Sequence, residues 1–101
     1  MEKHTVVITQ QHLEKGIEAC KDGPIPDHTS YCVFAQACRD VFPGKELYTG
    51  ISFIEVENQK WDVNYEDRAA TRYLTWAFDE RHYEDCASLL PLTIQLIRQE
   101  S

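Results

Sequence analysis

Four residues between positions 20 and 38 are of the types that bind zinc: Cys20, His28, Cys32 and Cys38. Thiolate sulfur and imidazole nitrogen are the usual zinc ligands in proteins. Structural zinc motifs, however, place ligands in pairs about two to four residues apart, and only His28 and Cys32 form such a pair here. Cys38 also falls on an apolar helical stripe, where a thiol packs as a small hydrophobic group. We therefore favour a chain without bound metal, and a zinc-stabilised module using these four residues is the third alternative.

Catalytic chemistry finds no support in the sequence. Nucleophilic catalysis needs a thiol or hydroxyl beside a base, and the four cysteines and four histidines show no local signature of such a pairing. The glycines at positions 16, 23, 44 and 50 are too scattered for a phosphate-binding loop. His12 suits capping or packing of a short helix. The sequence predicts a protein that is not an enzyme and uses no cofactor.

Charge gives the strongest functional signal. The 101 residues include 10 Lys and Arg against 17 Asp and Glu, a formal net charge of −7 at pH 7. This disfavours direct binding to nucleic acids or anionic membranes, because affinity for both comes largely from Lys and Arg. Five of the seven excess negative charges fall in residues 51–101, and the segment 79–85 alone holds four carboxylates.

These four carboxylates follow a predicted helix, whose negative end does not favour them, so binding is a candidate explanation for their presence. An acidic face can compete for the basic groove of a nucleic-acid-binding protein and is steered there by long-range attraction. Charge runs are more often only solubilising. Trp61 and Trp76 are each either core residues or interface anchors. The candidate partner-binding residues are Asp79, Glu80, Glu84 and Asp85, extended by Asp62, Glu66 and Asp67.

The elements that must position these residues form one α+β domain over residues 1–101. We expect a four-stranded antiparallel sheet with two main helices on one face, in the βαββαβ order of ferredoxin-like domains, and a short extra helix after the first strand. Such a fold hosts unrelated functions. In the first half of the chain the pattern predicts a strand at 4–9, a short helix at 10–15 that Gly16 ends, and an irregular connection at 16–29. A helix capped by Thr29 or Ser30 then ends at Pro43-Gly44, and strands follow at 47–56 and 60–63. The last predicted elements are a helix from 64–66 to Asp79, a polar stretch to Asp85 and a strand at 90–96.

The apolar segments of the sequence indicate the cellular location of the protein. The N-terminus has no apolar core of signal-peptide length, and no run approaches the roughly 20 apolar residues of a membrane span. We therefore expect a cytoplasmic protein with reduced cysteines.

Five short motifs follow one another along the chain: Thr9-x-x-His12-Leu13-x-x-Gly16, Cys32-x-x-Ala35-x-Ala37, Phe42-Pro43-Gly44, Trp76-Ala77-Phe78-Asp79 and Leu90-Pro91-Leu92-Thr93-Ile94. Their order resembles a family of small, uncharacterised bacteriophage and prophage proteins, and the resemblance covers roughly residues 5–96. The resemblance implies no catalytic or binding residue. It implies a context, since small acidic phage proteins often bind a host machine, as anti-CRISPR and other anti-defence proteins do.

Charge and resemblance together predict a phage-type binding protein that inhibits a host nucleic-acid-handling complex through a basic surface of that complex. The alternative is a small-ligand protein that sequesters a nucleotide signal, with the 16–29 connection over the ligand. In that case Lys15, Lys21, Arg68 and Arg72 would supply the donors. An oligomer is compatible with either hypothesis.

Overall fold

A five-stranded antiparallel sheet and four α-helices make up the residues that the structure, a computed structural model, describes: 2–20, 31–50 and 52–98. A 3-10 turn, Tyr65–Asp67, precedes the third helix. The strands are β1 (Glu2–Ile8), β2 (Leu47–Thr49), β3 (Phe53–Val56), β4 (Gln59–Val63) and β5 (Leu92–Arg98), and the helices are α1 (Gln10–Ala19), α2 (Val33–Val41), α3 (Arg68–Asp79) and α4 (Tyr83–Leu89).

The α+β class is confirmed, but the predicted strand count and element order are wrong. The sheet has the order β1-β5-β4-β3-β2, so the last strand pairs with the first and with β4. Among the described residues the elements follow one another as βααβββααβ, where βαββαβ with a short extra helix after the first strand was expected. The extra helix is present at residues 10–19, and the departures from the expected order are an additional strand and an additional helix at residues 83–89.

The extra strand comes from a break inside the predicted strand 47–56. The Gly50 amide donates to the Phe53 carbonyl oxygen over 2.8 Å, and β2 folds back antiparallel on β3. A Cβ on Gly50 would lie 2.2 Å from the Phe53 ring, so only glycine allows this ring to cover the backbone. Two short paired strands therefore replace one long strand. The next turn, at Glu57 and Asn58, has positive φ angles of 50° and 67° and closes the predicted hairpin of β3 and β4.

Side chains along the strands alternate between a buried face and an outer face. The buried face packs against the helices, and α2 contacts β1, β2, α1 and α3. The outer face carries partly or fully exposed residues such as Val7 and Tyr48. An antiparallel sheet with one solvated face produces this alternation. The sheet contributes Val6, Ile8, Leu47, Ile54, Val56, Trp61, Val63, Ile94 and Leu96 to the core.

Helix α1 is longer than predicted, because Gly16 does not end it. Gly16 is buried, and a Cβ there would lie 3.1 Å from the Phe78 ring and from the Val33 amide nitrogen. The missing side chain lets α1 approach its neighbours closely. The sequence predicted that Gly16 ends the helix. In the structure it is instead a position inside α1 where the helix packs closely against its neighbours.

The remaining helix boundaries follow local capping. Cys32 precedes α2, and its Sγ accepts a hydrogen bond from the Ala35 amide over 3.5 Å. The predicted caps Thr29 and Ser30, and most of the predicted connection 16–29, lie outside the described residues. The helix predicted from 64–66 starts with the 3-10 turn and continues as α3. Across the described ranges, no helix is long and apolar enough to cross a membrane.

Candidate functional site

Three aromatic rings form an exposed cluster at the C-terminal half of α3, which we call the Trp76 patch: Tyr73, Trp76 and His82. Trp76 is 49% exposed and Tyr73 is 45% exposed, whereas large aromatic side chains usually lose most of their exposure on folding. The Tyr73 and Trp76 rings lie 5.8 Å apart, and the His82 ring meets the indole edge to face at 5.3 Å. The rings therefore support one another while remaining open to solvent.

The position of the patch follows from the geometry of α3. The buried residues Thr71, Leu74, Ala77 and Phe78 recur at helical spacing and face the core. Trp76 lies off this stripe, which is the sequence signal for its exposure. Tyr73 directly precedes Leu74 of this stripe, but its side chain is exposed and its ring contacts Trp76.

A tight helix-to-helix connection places the acidic residues beside this patch. The Arg81 amide donates to the Phe78 carbonyl over 3.0 Å, and the His82 amide donates to the Ala77 carbonyl over 2.7 Å. These two bonds form a Schellman motif, whose residue after the C-cap takes a left-handed conformation. Arg81 does so with a φ of 62°. The reversal turns the chain directly from α3 into α4.

The segment Asp79–Asp85, which we call the acidic elbow, divides its four carboxylates between two helices. Asp79 and Glu80 end α3, where the helix dipole opposes them. Glu84 and Asp85 lie in the first turn of α4, where the dipole favours them. The predicted polar stretch to Asp85 is therefore wrong, and so is the inference that all four charges gain nothing from folding. His82 Nδ1 lies 3.6 Å from Asp85 Oδ2 and links the patch to the elbow.

The other predicted partner-binding residues lie elsewhere. Glu66 and Asp67 precede α3, whose 12 residues place them roughly 18 Å from the elbow along the helix axis. Asp67 Oδ2 accepts the Gln95 amide over 2.9 Å and ties the 3-10 turn to β5. Asp62 lies on the outer face of β4 with its carboxylate 3.8 Å from Lys60 Nζ. A binding role for these three residues stays a prediction, and they do not join the elbow in one cluster.

Trp61, the other indole, belongs to the core. It is 4% exposed and lies against His4, with ring centroids 4.9 Å apart, and against Phe42 at 5.3 Å. Of the two tryptophans, Trp76 is therefore the one that is exposed enough to serve as a candidate interface anchor.

The four thiols are all buried and free. Burial raises the pKa of Cys20, Cys32 and Cys38, most strongly for Cys38, so that they remain protonated near neutral pH. Protonated thiols are poor nucleophiles and poor metal ligands. Within residues 2–20, 31–50 and 52–98, no three His, Cys, Asp or Glu side chains form a group that could hold a metal ion. His28, the fourth residue of the zinc alternative, lies outside those ranges.

A histidine–carboxylate pair elsewhere resembles part of a catalytic arrangement. His12 Nε2 lies 2.6 Å from Asp40 Oδ2, and His12 is almost fully buried. Its Nδ1, however, accepts the Thr9 amide over 2.9 Å, so the nitrogen that a general base would need is already occupied. The contacts make His12 a capping residue of α1, in agreement with the prediction that it caps or packs.

The cations invoked for nucleotide binding that the structure describes are divided between two helices, with Lys15 on α1 and Arg68 and Arg72 one turn apart on α3. Lys15 lines an open groove of about 840 Å³ between α1 and α2, together with Arg39 of α2. Arg68 Nε donates to the Val63 carbonyl over 2.9 Å at the start of α3. Arg72 is exposed on α3, and Lys21 falls in the part of the chain that the structure does not describe.

An α+β scaffold with rigid aromatic rings beside a carboxylate cluster has the features of a protein-binding surface. Aromatic residues supply contact area at low entropic cost, and carboxylates add attraction to cationic side chains. Comparisons with protein-family models, with curated proteins and with solved structures find no match for this chain. The functional argument therefore rests on the Trp76 patch and the acidic elbow.

Proposed function

We propose that this protein binds another protein by inserting the Trp76 patch into an apolar depression that is surrounded by basic residues contacting the acidic elbow. The observation that carries this proposal is the 49% exposure of Trp76 beside four carboxylates. Truncating a tryptophan at the centre of an interface typically costs about 2 kcal/mol of binding free energy or more. The indole supplies the affinity, and the elbow directs the approach.

The elbow carboxylates and the Trp76 indole should contribute to binding in different ways, because they differ in how they interact with water. The elbow carboxylates are exposed, so each attracts a partner cation through water and contributes mainly to the association rate. The indole loses its remaining water contact on binding, which is a short-range gain that salt affects little. Partner affinity should therefore fall with salt through the association rate, while the dissociation rate depends on Trp76.

The proposed partner is a nucleic-acid-handling complex of the host cytoplasm. A basic groove that binds phosphates is also complementary to the elbow, so the protein would compete with nucleic acid for it. The resemblance to phage proteins supports this setting, and an anti-CRISPR or other anti-defence inhibitor is the specific form that we propose.

The test is capture of the partner from host lysate at low and at high salt, followed by competition against nucleic acid. The variant Glu80→Lys/Glu84→Lys reverses two elbow charges. Its matched control, Glu14→Lys/Glu46→Lys, changes net charge equally at two exposed positions away from the elbow. We expect the elbow variant to lose capture, and the control to keep most of it, with both remaining folded by circular dichroism.

A stronger version reverses all four elbow carboxylates to Lys, which should abolish both capture and displacement of nucleic acid. Retained inhibition by this folded variant contradicts the electrostatic mechanism. Equal losses in the elbow variant and its control would assign the effect to total charge, and would also contradict a localised site.

A further inference from the structure

Within the part of the chain that the structure describes, strand β1 forms one edge of the sheet and pairs only with β5. An edge strand presents a row of backbone N–H and C=O groups on its open side, ready to pair with another strand. The two edges of this sheet differ greatly in length, since β1 has seven residues and β2 has three. The long edge offers by far the better template for strand addition.

The sequence of β1 protects the edge only at one end, where the charged residues Glu2 and Lys3 lie. The strand contains no proline, and its register with β5 is continuous from Glu2 to Ile8 without a bulge. Residues 5–8, Thr-Val-Val-Ile, are all β-branched and favour strand pairing. Val7 lies on the outer face and is 46% exposed, so the edge also carries an uncovered apolar side chain.

We propose that β1 pairs antiparallel with β1 of a second copy of this chain, giving a two-fold dimer with one continuous ten-stranded sheet. Antiparallel pairing centred on Thr5 would set Val7 of each copy opposite Lys3 of the other, and Ile8 opposite Glu2. In this register no like charges lie directly opposite one another. Self-pairing of β1 therefore brings no charge repulsion between the two strands, which supports a second copy as the occupant.

The charge around β1 also favours a second copy. Glu2 is neutralised by Arg98, whose Nη1 lies 3.2 Å from its carboxylate, and Lys3 adds one positive charge. Two chains with a net charge of −7 repel one another elsewhere, but they meet here at a region without excess negative charge. Salt should therefore strengthen the dimer by screening the overall repulsion, while it weakens the proposed partner docking.

The experiment is sedimentation equilibrium of the full chain from about 1 to about 500 µM, at low and at high salt. We expect a concentration-dependent shift from 11.8 kDa towards twice that mass, and tighter association at high salt. A wild-type chain that stays monomeric throughout overturns the proposal, as does a dimer that salt weakens.

The register is tested by Val7→Lys, which would place a lysine opposite Lys3 of the second copy. It should raise the dimer dissociation constant at least about tenfold. Its control is Thr93→Lys, because Thr93 pairs with Val7 in the same sheet, on the same face but one strand from the edge. The double variant Lys3→Glu/Val7→Lys should restore the dimer by creating opposite charges.

Equal weakening by Val7→Lys and Thr93→Lys would overturn edge pairing, and so would a double variant that fails to recover. Association of β1 only with a different protein would overturn the choice of occupant. None of these three results bears on the Trp76 patch, which shares no residue with β1. The dimer and the proposed function can therefore fail independently.

Discussion

Two clusters of three rings, each with one tryptophan and one histidine, occur among the described residues, and they differ in exposure. In the first, Trp61 lies within 5.3 Å of its partner rings and is 4% exposed. In the second, Trp76 lies within 5.8 Å of its partner rings and is 49% exposed. The core cluster and the surface cluster thus have similar ring types and ring distances. Only the position of the rings relative to the sheet and the helices separates a folding role from the proposed binding role.

The largest expected contrast is in stability. Replacing a buried tryptophan by alanine typically costs about 3–5 kcal/mol, so Trp61→Ala should lower the free energy of unfolding by that amount. Trp76→Ala should change it by less than about 1 kcal/mol, because the side chain keeps half its exposure. Chemical denaturation of both variants makes the measurement. Similar losses in the two variants would remove the distinction between core and surface clusters.

The contact between α3 and α4 provides a second contrast, between the exposed rings of the Trp76 patch and a buried thiol. Cys86 on α4 is buried and its Sγ donates to the Leu74 carbonyl over 3.7 Å. Burial, with a smaller contribution from Asp85, raises the pKa of Cys86 from 9.0 to about 11. Folding thus favours the protonated thiol, and this contribution to stability is complete below pH 9 and is lost as the pH rises towards about 11.

Cys86→Ala isolates that contribution from the other titrating groups. The difference in free energy of unfolding between wild type and this variant should shrink as the pH rises from about 9 to about 11. Denaturation curves at three pH values in that range are sufficient. A difference that stays constant would mean that the Cys86 thiol is open to water.

The smallest expected effect concerns the connection that holds the patch against the elbow. Arg81 occupies a left-handed position in which glycine has no steric penalty. Arg81→Gly should therefore raise the free energy of unfolding by about 0.5–1 kcal/mol, as measured by thermal and chemical denaturation. It also removes a positive charge from the elbow, so binding to a basic partner should become tighter. Loss of stability would argue against the Schellman geometry that positions both features.

The sequence predicted the elements with clear periodicity and missed those that depend on tertiary contacts. Alternation indicated β1 and the β3–β4 hairpin, and the helical stripe indicated α3. Gly16 was misinterpreted as a helix stop, and the chain reversal at Gly50 was missed, because both depend on Phe78 and Phe53, which pack against these glycines in the folded chain. Such packing is invisible to local propensity.

The candidate site was predicted only in part. The elbow carboxylates were identified from charge density, but α4 was missed because a seven-residue helix has a weak pattern and depends on packing by Cys86. Without α4, Glu84 and Asp85 were assigned to the negative end of α3, whereas they lie at the positive end of α4. The exposure of Trp76 could be predicted because the residue does not share the helical spacing of the buried residues Leu74, Ala77 and Phe78. The contact between His82 and Trp76 could not be predicted, because the turn between α3 and α4 creates it.

Trp76 is the proposed energetic anchor of a protein interface. The most direct test of this role is titration calorimetry of the captured partner against wild type and Trp76→Ala, both shown to be folded and in the same oligomeric state. We expect the variant's dissociation constant to rise at least about 30-fold, which corresponds to about 2 kcal/mol. An unchanged dissociation constant would contradict this role of Trp76.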